Sequence, residues 1–254
     1  MEHSEPEVLT VNAGRGVGWV AEGFHLFKSD WLSWIGLSVL LVVLSMVASV
    51  IPVANLLVPV VTPIIIAGLM LACAQQAQGG EISIALVFSG FGKNPGQLAL
   101  IGVFYFVANI LILVTIIVLL LIIMGGFEGL AQLSLEEPEL LIQHLFKVLL
   151  VLLIGLSMYL PVVMALWFAP ALVVFNELTA VKAVVLSVRG CLLNVLPFLI
   201  YGIVTMVLMI LASIPLMLGW LILLPILIAS VYFSYREIYQ GAPEQSGSAG
   251  HISP

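Results

Sequence analysis

Six apolar stretches, each about as long as a helix must be to cross a bilayer, run through this chain with only short polar breaks between them. Such a chain cannot fold in water. With 63% hydrophobic and 8% charged residues and a mean hydropathy of +1.27, it lacks the polar surface that a soluble domain needs. The pattern predicts an all-α integral membrane protein with spans at about 32–52, 56–76, 97–124, 145–169, 197–214 and 218–237. At 254 residues, six spans and their links fill the chain, so one membrane domain is expected over 13–240. An acidic tail (1–12) precedes it, and a Gly-, Ser- and Pro-containing tail (241–254), expected to be disordered, follows. Residues 1–30 show no signal-peptide pattern, since the first long apolar run begins at Trp31 and has no small-residue cleavage site.

Charge sets the expected orientation. Arg15, Lys28, Lys93, Lys182, Arg189 and Arg236 fall on one side of the membrane, and only Lys147 on the other. Basic residues in short loops stay on the cytoplasmic side, so both termini are expected there. The formal net charge of -6 comes largely from Glu2, Glu5 and Glu7, the outer loop with Glu128, Glu136, Glu137 and Glu139, and the C-terminal end, which suggests no nucleic-acid partner. In that loop Pro138 opens a short helix expected to lead into the fourth span. Cys73 and Cys191 sit near cytoplasmic helix ends, where thiols stay reduced, so neither a disulfide nor a metal site is expected.

A six-span chain invites a search for duplicated hairpins. Pro63, Ala67 and Gln78-Gly79 in span two recur at the same offsets as Pro225, Ala229 and Gln240-Gly241 in span six. Span four joins them with Pro161, Ala165 and Asn176. Asn94 precedes Gly102 by eight residues, as Asn194 precedes Gly202 and Lys28 precedes Gly36. The expected unit is an interfacial amphipathic helix followed by a two-helix hairpin, repeated over about 14–79, 81–176 and 177–240 as a pseudo-threefold array.

The first interfacial segment places Val17, Val20, Phe24 and Phe27 on one helical face and Arg15, Glu22, His25 and Ser29 on the other. The third sets Leu178, Val181, Val185, Val188 and Leu192 against Thr179, Lys182 and Arg189, and the second, 81–91, shows the pattern weakly. Arg15, Lys28, Lys93, Lys182 and Arg189 are therefore candidate contacts to lipid headgroups. Trp19, Trp31 and Trp34 fit an aromatic belt at the membrane boundary. Small pairs one turn apart, Gly68 with Ala72, Ala165 with Ala169 and Ser230 with Ser234, mark expected helix contacts. Pro63, Pro161 and Pro225 are expected to kink their helices, each freeing a carbonyl.

Ionisable residues at membrane depth, the usual mark of a transport pathway, are essentially missing. The deepest polar side chains are Asn109, expected to bond across to another helix, with Thr115 and Thr205. Gln75, Gln76 and Gln78 read as a solvated helix end. His3, His25, His144 and His251 share no site, and Glu22 with His25 gives a helical pair too small for a metal or a triad, so no catalytic residue, cofactor or metal is assigned. The glycines of Gly14-Arg15-Gly16-Val17-Gly18 lack the strand and spacing of a dinucleotide fingerprint.

Ala13-Gly14-Arg15-Gly16, Trp19, Glu22-Gly23-Phe24, Leu26-Phe27, Trp34-Ile35-Gly36, Ala67-Gly68-Leu69-Met70-Leu71, Gly90-Phe91 and Gly96-Gln97-Leu98 together resemble a group of uncharacterised proteobacterial inner-membrane proteins. The likeness is concentrated in the first hundred residues. More distantly, the layout is similar to the membrane domain attached to some glycerophosphodiester phosphodiesterases, without their catalytic partner. The resemblance implies a bacterial inner-membrane location and a six-helix bundle, and brings no catalytic or binding residues with it. The leading expectation is a non-enzymatic accessory or scaffolding subunit that binds membrane lipids, another membrane protein or a second copy of itself. The alternative is a passive channel or carrier for a small or lipophilic solute, walled by Asn109, Thr115, Thr205 and the carbonyls freed by the three prolines.

Overall fold

The computed structural model describes residues 5–126 and 138–241, and among them every regular element is helical. In chain order these are α1 (Arg15–Ser29), α2 (Trp31–Val50), α3 (Pro52–Ala77), a 3₁₀ segment (Ile84–Gly92), α4 (Pro95–Met124), α5 (Pro138–Trp167), α6 (Ala169–Asn176), α7 (Ala180–Leu193), α8 (Val195–Ser213) and α9 (Trp220–Gln240). Six stretches are long and apolar enough to cross a membrane: Trp31–Val50, Leu56–Ala77, Pro95–Met124, His144–Asn176, Val195–Ser213 and Trp220–Gln240. Each lies where hydropathy predicts it. Of the expected acidic loop, 127–137 lies outside the described residues, as do 1–4 and 242–254 of the two tails.

Local chemistry sets the helix limits. Asp30 caps α2 by accepting from the Ser33 N–H, Pro52 and Pro95 open α3 and α4 where no N–H is required, and Gly125 closes α4 at φ 83°. The helix begun at Pro138 runs without interruption into the fourth span, so the short separate helix expected there is the first part of α5. The interruption comes later, at Phe168. Pro170 has no N–H to return to the preceding turn, and α5 gives way to α6. The Phe168 N–H instead meets Ser187 Oγ at 2.9 Å, and that hydroxyl donates to Met164 O at 2.6 Å. Pro63, Pro161 and Pro225, expected to be the points of disruption, lie inside helices that continue through them.

The expected surface helices are partly interior. α1 buries Gly16, Trp19, Val20, Gly23 and Phe27 against α8 and α9, leaving Val17 and Phe24 exposed, so the apolar face assigned to the membrane is divided between protein and exterior. α7 behaves alike: it buries Ala180, Ala183 and Ser187 on the side that meets α5 and α6, and Gly190 against Tyr239 of α9, while Val181, Val185 and Leu192 face out. The 3₁₀ segment lies against α3. Periodicity of large apolar residues found the outward face of α7 and, in α1, a stripe whose Val20 and Phe27 turn inward beside Trp19. The inward faces also carry small residues, which that search passes over.

Those small residues let backbones touch. A Cβ on Gly23 would stand 2.5 Å from Ile226 O, one on Gly90 2.1 Å from Ile64 O, one on Gly68 2.0 Å from Val87 O, and one on Gly102 2.6 Å from Pro59 O. Pro59 O is the carbonyl that Pro63 leaves without an intrahelical donor, and the bare Cα of Gly102 covers it. Gly36, with nothing within 4 Å, makes no such crossing.

Gly68→Ala should therefore destabilise the protein by on the order of 1–3 kcal/mol through overpacking. Gly36→Ala should be neutral or stabilising by up to ~1 kcal/mol. Thermal unfolding of both variants in one detergent checks the contrast, and equal midpoints would exclude backbone contact at Gly68.

Candidate functional site

The polar groups of the molecule concentrate at one end of the bundle, where α1, the 3₁₀ segment and α7 meet the start of α4 and α8 and the end of α3 and α9. Arg15 Nε bonds both carboxylate oxygens of Glu237 at 2.7 and 2.8 Å, and its Nη2 bonds Glu22 at 2.5 Å. The Trp19 indole, fully buried, donates to Glu237 Oε2 at 2.6 Å. Burial alone would lower the Arg15 pKa, but the hydrogen bonds it donates to Glu22 and Glu237, with the charges of both carboxylates, outweigh it and raise it above its ordinary value.

Further bonds bind the ends of the chain and the successive units together. Asn194 accepts from the Val11 N–H at 2.9 Å and donates to Leu9 O and Gly190 O, both at 3.0 Å. Gln97 Oε1 accepts from the Ala180 N–H at 2.7 Å, which satisfies the start of α7. Gln76, expected to be solvated, accepts from Trp34 Nε1 at 2.9 Å and donates to Leu26 O and Ser29 Oγ. Tyr235 donates to Asn176 Oδ1 and Tyr239 to Leu186 O. Trp19 and Trp34 are thus interior hydrogen-bond donors and not members of an aromatic belt. Trp31, by contrast, is 55% exposed.

The candidate headgroup cations gather at this same end. Lys28, Lys93 and Arg189 are exposed, and Lys182 is exposed while reaching Glu5 at 3.0 Å. Arg15 alone is committed to two carboxylates. Burial pushes the Cys191 thiol up to about 12, which leaves it unreactive. Among the described residues no group of three His, Cys, Asp or Glu side chains stands ready for a metal ion.

Below this cap lie two adjoining chambers. The first, about 480 Å³, is bounded by α3, α4, α5, α8 and α9, with Thr62, Pro63, Tyr105, Tyr159, Trp167, Tyr201 and Thr205 among its walls. The second, about 450 Å³, lies between α5, α7 and α8. Val163, Trp167, Tyr201 and Thr205 wall both. Trp167 is held by edge contacts to Phe198 and Tyr201 at 5.7 and 5.9 Å between ring centres. Its Nε1 is the one buried side-chain nitrogen or oxygen without a hydrogen-bond partner among the described residues.

The polar residues singled out at depth divide accordingly. Thr205 and Pro63 line the first chamber. Asn109, Thr115, Pro161 and Pro225 line neither. Asn109 donates to Tyr105 O one turn back in its own helix, at 2.8 Å, in place of the cross-helix bond expected, and Thr115 likewise donates to Leu111 O. The aromatic pair Tyr105 and Tyr159, and Trp167 itself, carried no signal in the sequence beyond being aromatic residues in apolar helices.

A probable inner membrane protein of Burkholderia thailandensis is 29% identical to this chain, over 77% of it and 74% of the relative. No family model and no solved structure matches. With six apolar helices of spanning length beside that likeness, one conclusion holds. The chain is a multi-pass inner-membrane protein. Nothing in these comparisons connects it to the phosphodiesterase membrane domain.

Glu237, 14% exposed, answers two N–H donors through three contacts, so Glu237→Gln should cost on the order of 1–3 kcal/mol. Glu22, at 36% exposure, forms a more solvated pair, and Glu22→Gln should cost under about 1 kcal/mol. Unfolding midpoints for the two variants test this order. Arg15→Met with Glu237→Leu should recover part of the larger loss, because no buried charge is then left alone.

Proposed function

We propose that this protein is a non-enzymatic accessory protein of the bacterial inner membrane that binds a lipophilic molecule between its helices. The observation that carries this is the pair of chambers, the first walled by α3, α4, α5, α8 and α9 and the second by α5, α7 and α8, each within the size range of small-molecule sites and overwhelmingly apolar. Roughly 30 Å³ of space per water and two to four polar partners for each make such walls a poor container for water. Hydrocarbon suits them. The polar cap, by contrast, is internally satisfied, and its hydrogen bonds support a holding role over chemistry. A polar passage finds little support, since Asn109 and Thr115 turn their hydrogen-bonding groups back on α4.

The organisation behind this is, in our proposal, three related units closed into a ring. α7 lies on α5 and α6, the 3₁₀ segment on α3, and α1 on α9, so each interfacial element rests on the span ending the unit before it, the first resting on the last. Gly23 meets Ile226 and Ser230 on α9, and Gly90 meets Ile64 and Gly68 on α3. Counted from Pro225 and Pro63, these are the same positions. The cap carries every basic residue except Lys147, which supports placing it and both termini in the cytoplasm.

Purification from native membranes in mild detergent, followed by mass spectrometry, should recover the chain with a lipophilic molecule near one-to-one. A chain that holds only exchangeable bulk lipid would count against the binding role. For orientation, a C-terminal green fluorescent protein should fluoresce and a C-terminal alkaline phosphatase stay inactive. The reverse result would invert the assignment.

A further inference from the structure

The hydrogen-bonding inventory of the chambers defines the chemistry of what they hold, and this step rests on the lipid-binding role proposed above. Thr62, Thr205 and Ser230 each donate their hydroxyl proton to a carbonyl of their own helix. Because the Ser230 proton goes to Leu227 O, the Tyr201 hydroxyl must be the donor in its 2.8 Å bond with Ser230 Oγ. Tyr105 and Tyr159 share one bond of 3.2 Å, which uses one of their two phenolic protons. Two donors are therefore left over at the chamber walls: the Trp167 N–H and one phenol of that pair. Trp167 walls both chambers and its Nε1 lies buried at that wall, while the two phenols line the first chamber, whose surface is otherwise apolar.

We propose that the two chambers form a site for a tailed carbonyl lipid, a hydrocarbon chain whose carbonyl oxygen accepts from Trp167 Nε1. A ligand that accepts and need not donate answers the surplus, and a carbonyl does this without a charge, which these walls could not solvate. The tail has a route outward. Leu160, Leu199, Ile203 and Met206 wall the second chamber and are more than half exposed on the outer face, so the gap between α5 and α8 opens sideways into the bilayer. Two membrane components carry this chemistry, a prenylated quinone and the acyl ester of a phospholipid.

The test uses the purified full chain in nanodiscs, with ligand retained after gel filtration measured by mass spectrometry over a range of concentrations. One arm adds decyl-ubiquinone and the other a dibrominated phosphatidylglycerol, distinguishable by mass from the nanodisc lipid. Wild type should bind one of them saturably, which names the source. Trp167→Phe keeps the ring and removes the donor, and should weaken that binding by about tenfold. Gly202 lines the second chamber and a Cβ there meets nothing within 4 Å, so Gly202→Phe should fold and block the gap, reducing saturable binding at least as much. Saturable binding that neither variant changes would overturn the site while leaving lipid binding intact. Wild type that binds neither probe saturably, and carries no native lipid after purification, would overturn both.

Discussion

Within a bilayer, one apolar helix gains nothing from the hydrophobic effect by meeting another, because lipid tails are equally apolar. Cohesion must come from contacts lipid cannot imitate, and this protein has two kinds. Glycines let backbones approach to carbonyl distance, and a polar cap at one end ties the chain to itself. The opposite halves of the spans are loosely engaged: in α4 no residue of the most apolar window is buried, and in α2 only 17% are. The cap governs the rest of the fold, since α1, the 3₁₀ segment and α7 each reach the spans there.

The cap is also economical in charge. Arg15 and Glu237 are matched by direct bonds and by the Trp19 indole, so both carboxylate oxygens of the more buried partner are answered. Neutral amides do the remaining work. Gln76, Gln97 and Asn194 each use both donor and acceptor capacity, or the acceptor at a helix start, to join segments distant in sequence. These bonds bring residues 9–11 onto the start of α8 and the end of α9, which sets the N-terminal segment beside the last helix.

How much of this was legible follows from which forces leave a trace in sequence. Spans are legible because membrane thickness fixes length and composition together: five fell within three residues of their expected limits, and the fourth runs on past its expected end to Asn176, beyond the break at Phe168. The amphipathic segments were legible as helices, but their inward faces were not: a stripe such as Ala180, Ala183, Ser187, Gly190 has no hydrophobic contrast to detect. Trp19 and Trp34 misled because a buried indole donor and an interfacial anchor look the same in a sequence. Asn109 misled because the depth of a polar residue is readable and the carbonyl it selects is not. The group of residues that carries the family resemblance makes sense in retrospect. Arg15, Gly16, Trp19, Glu22, Gly23, Trp34, Gly68, Gly90 and Gln97 are the residues that assemble the cap and its glycine crossings.

The chambers depend on a feature no repeat pattern predicted, the interruption at Phe168. Had α5 run on, Trp167 would sit on a continuous helix wall. Pro170 ends the helix instead, Ser187 enters the opening to satisfy the freed N–H and a carbonyl, and the turn fixes Trp167 against Phe198 and Tyr201. Ser187 answers both the Phe168 N–H and the Met164 carbonyl at that break. The indole N–H a residue away has none, although Tyr201, in edge contact with it, finds its own in Ser230. A buried donor left open costs about 1–3 kcal/mol, and a bundle that satisfies every other buried polar side-chain atom among the described residues has little structural reason to bear that cost. The cost disappears when an acceptor enters with its own hydrocarbon, which makes the unpaired indole the feature of this membrane domain that points most directly to a ligand.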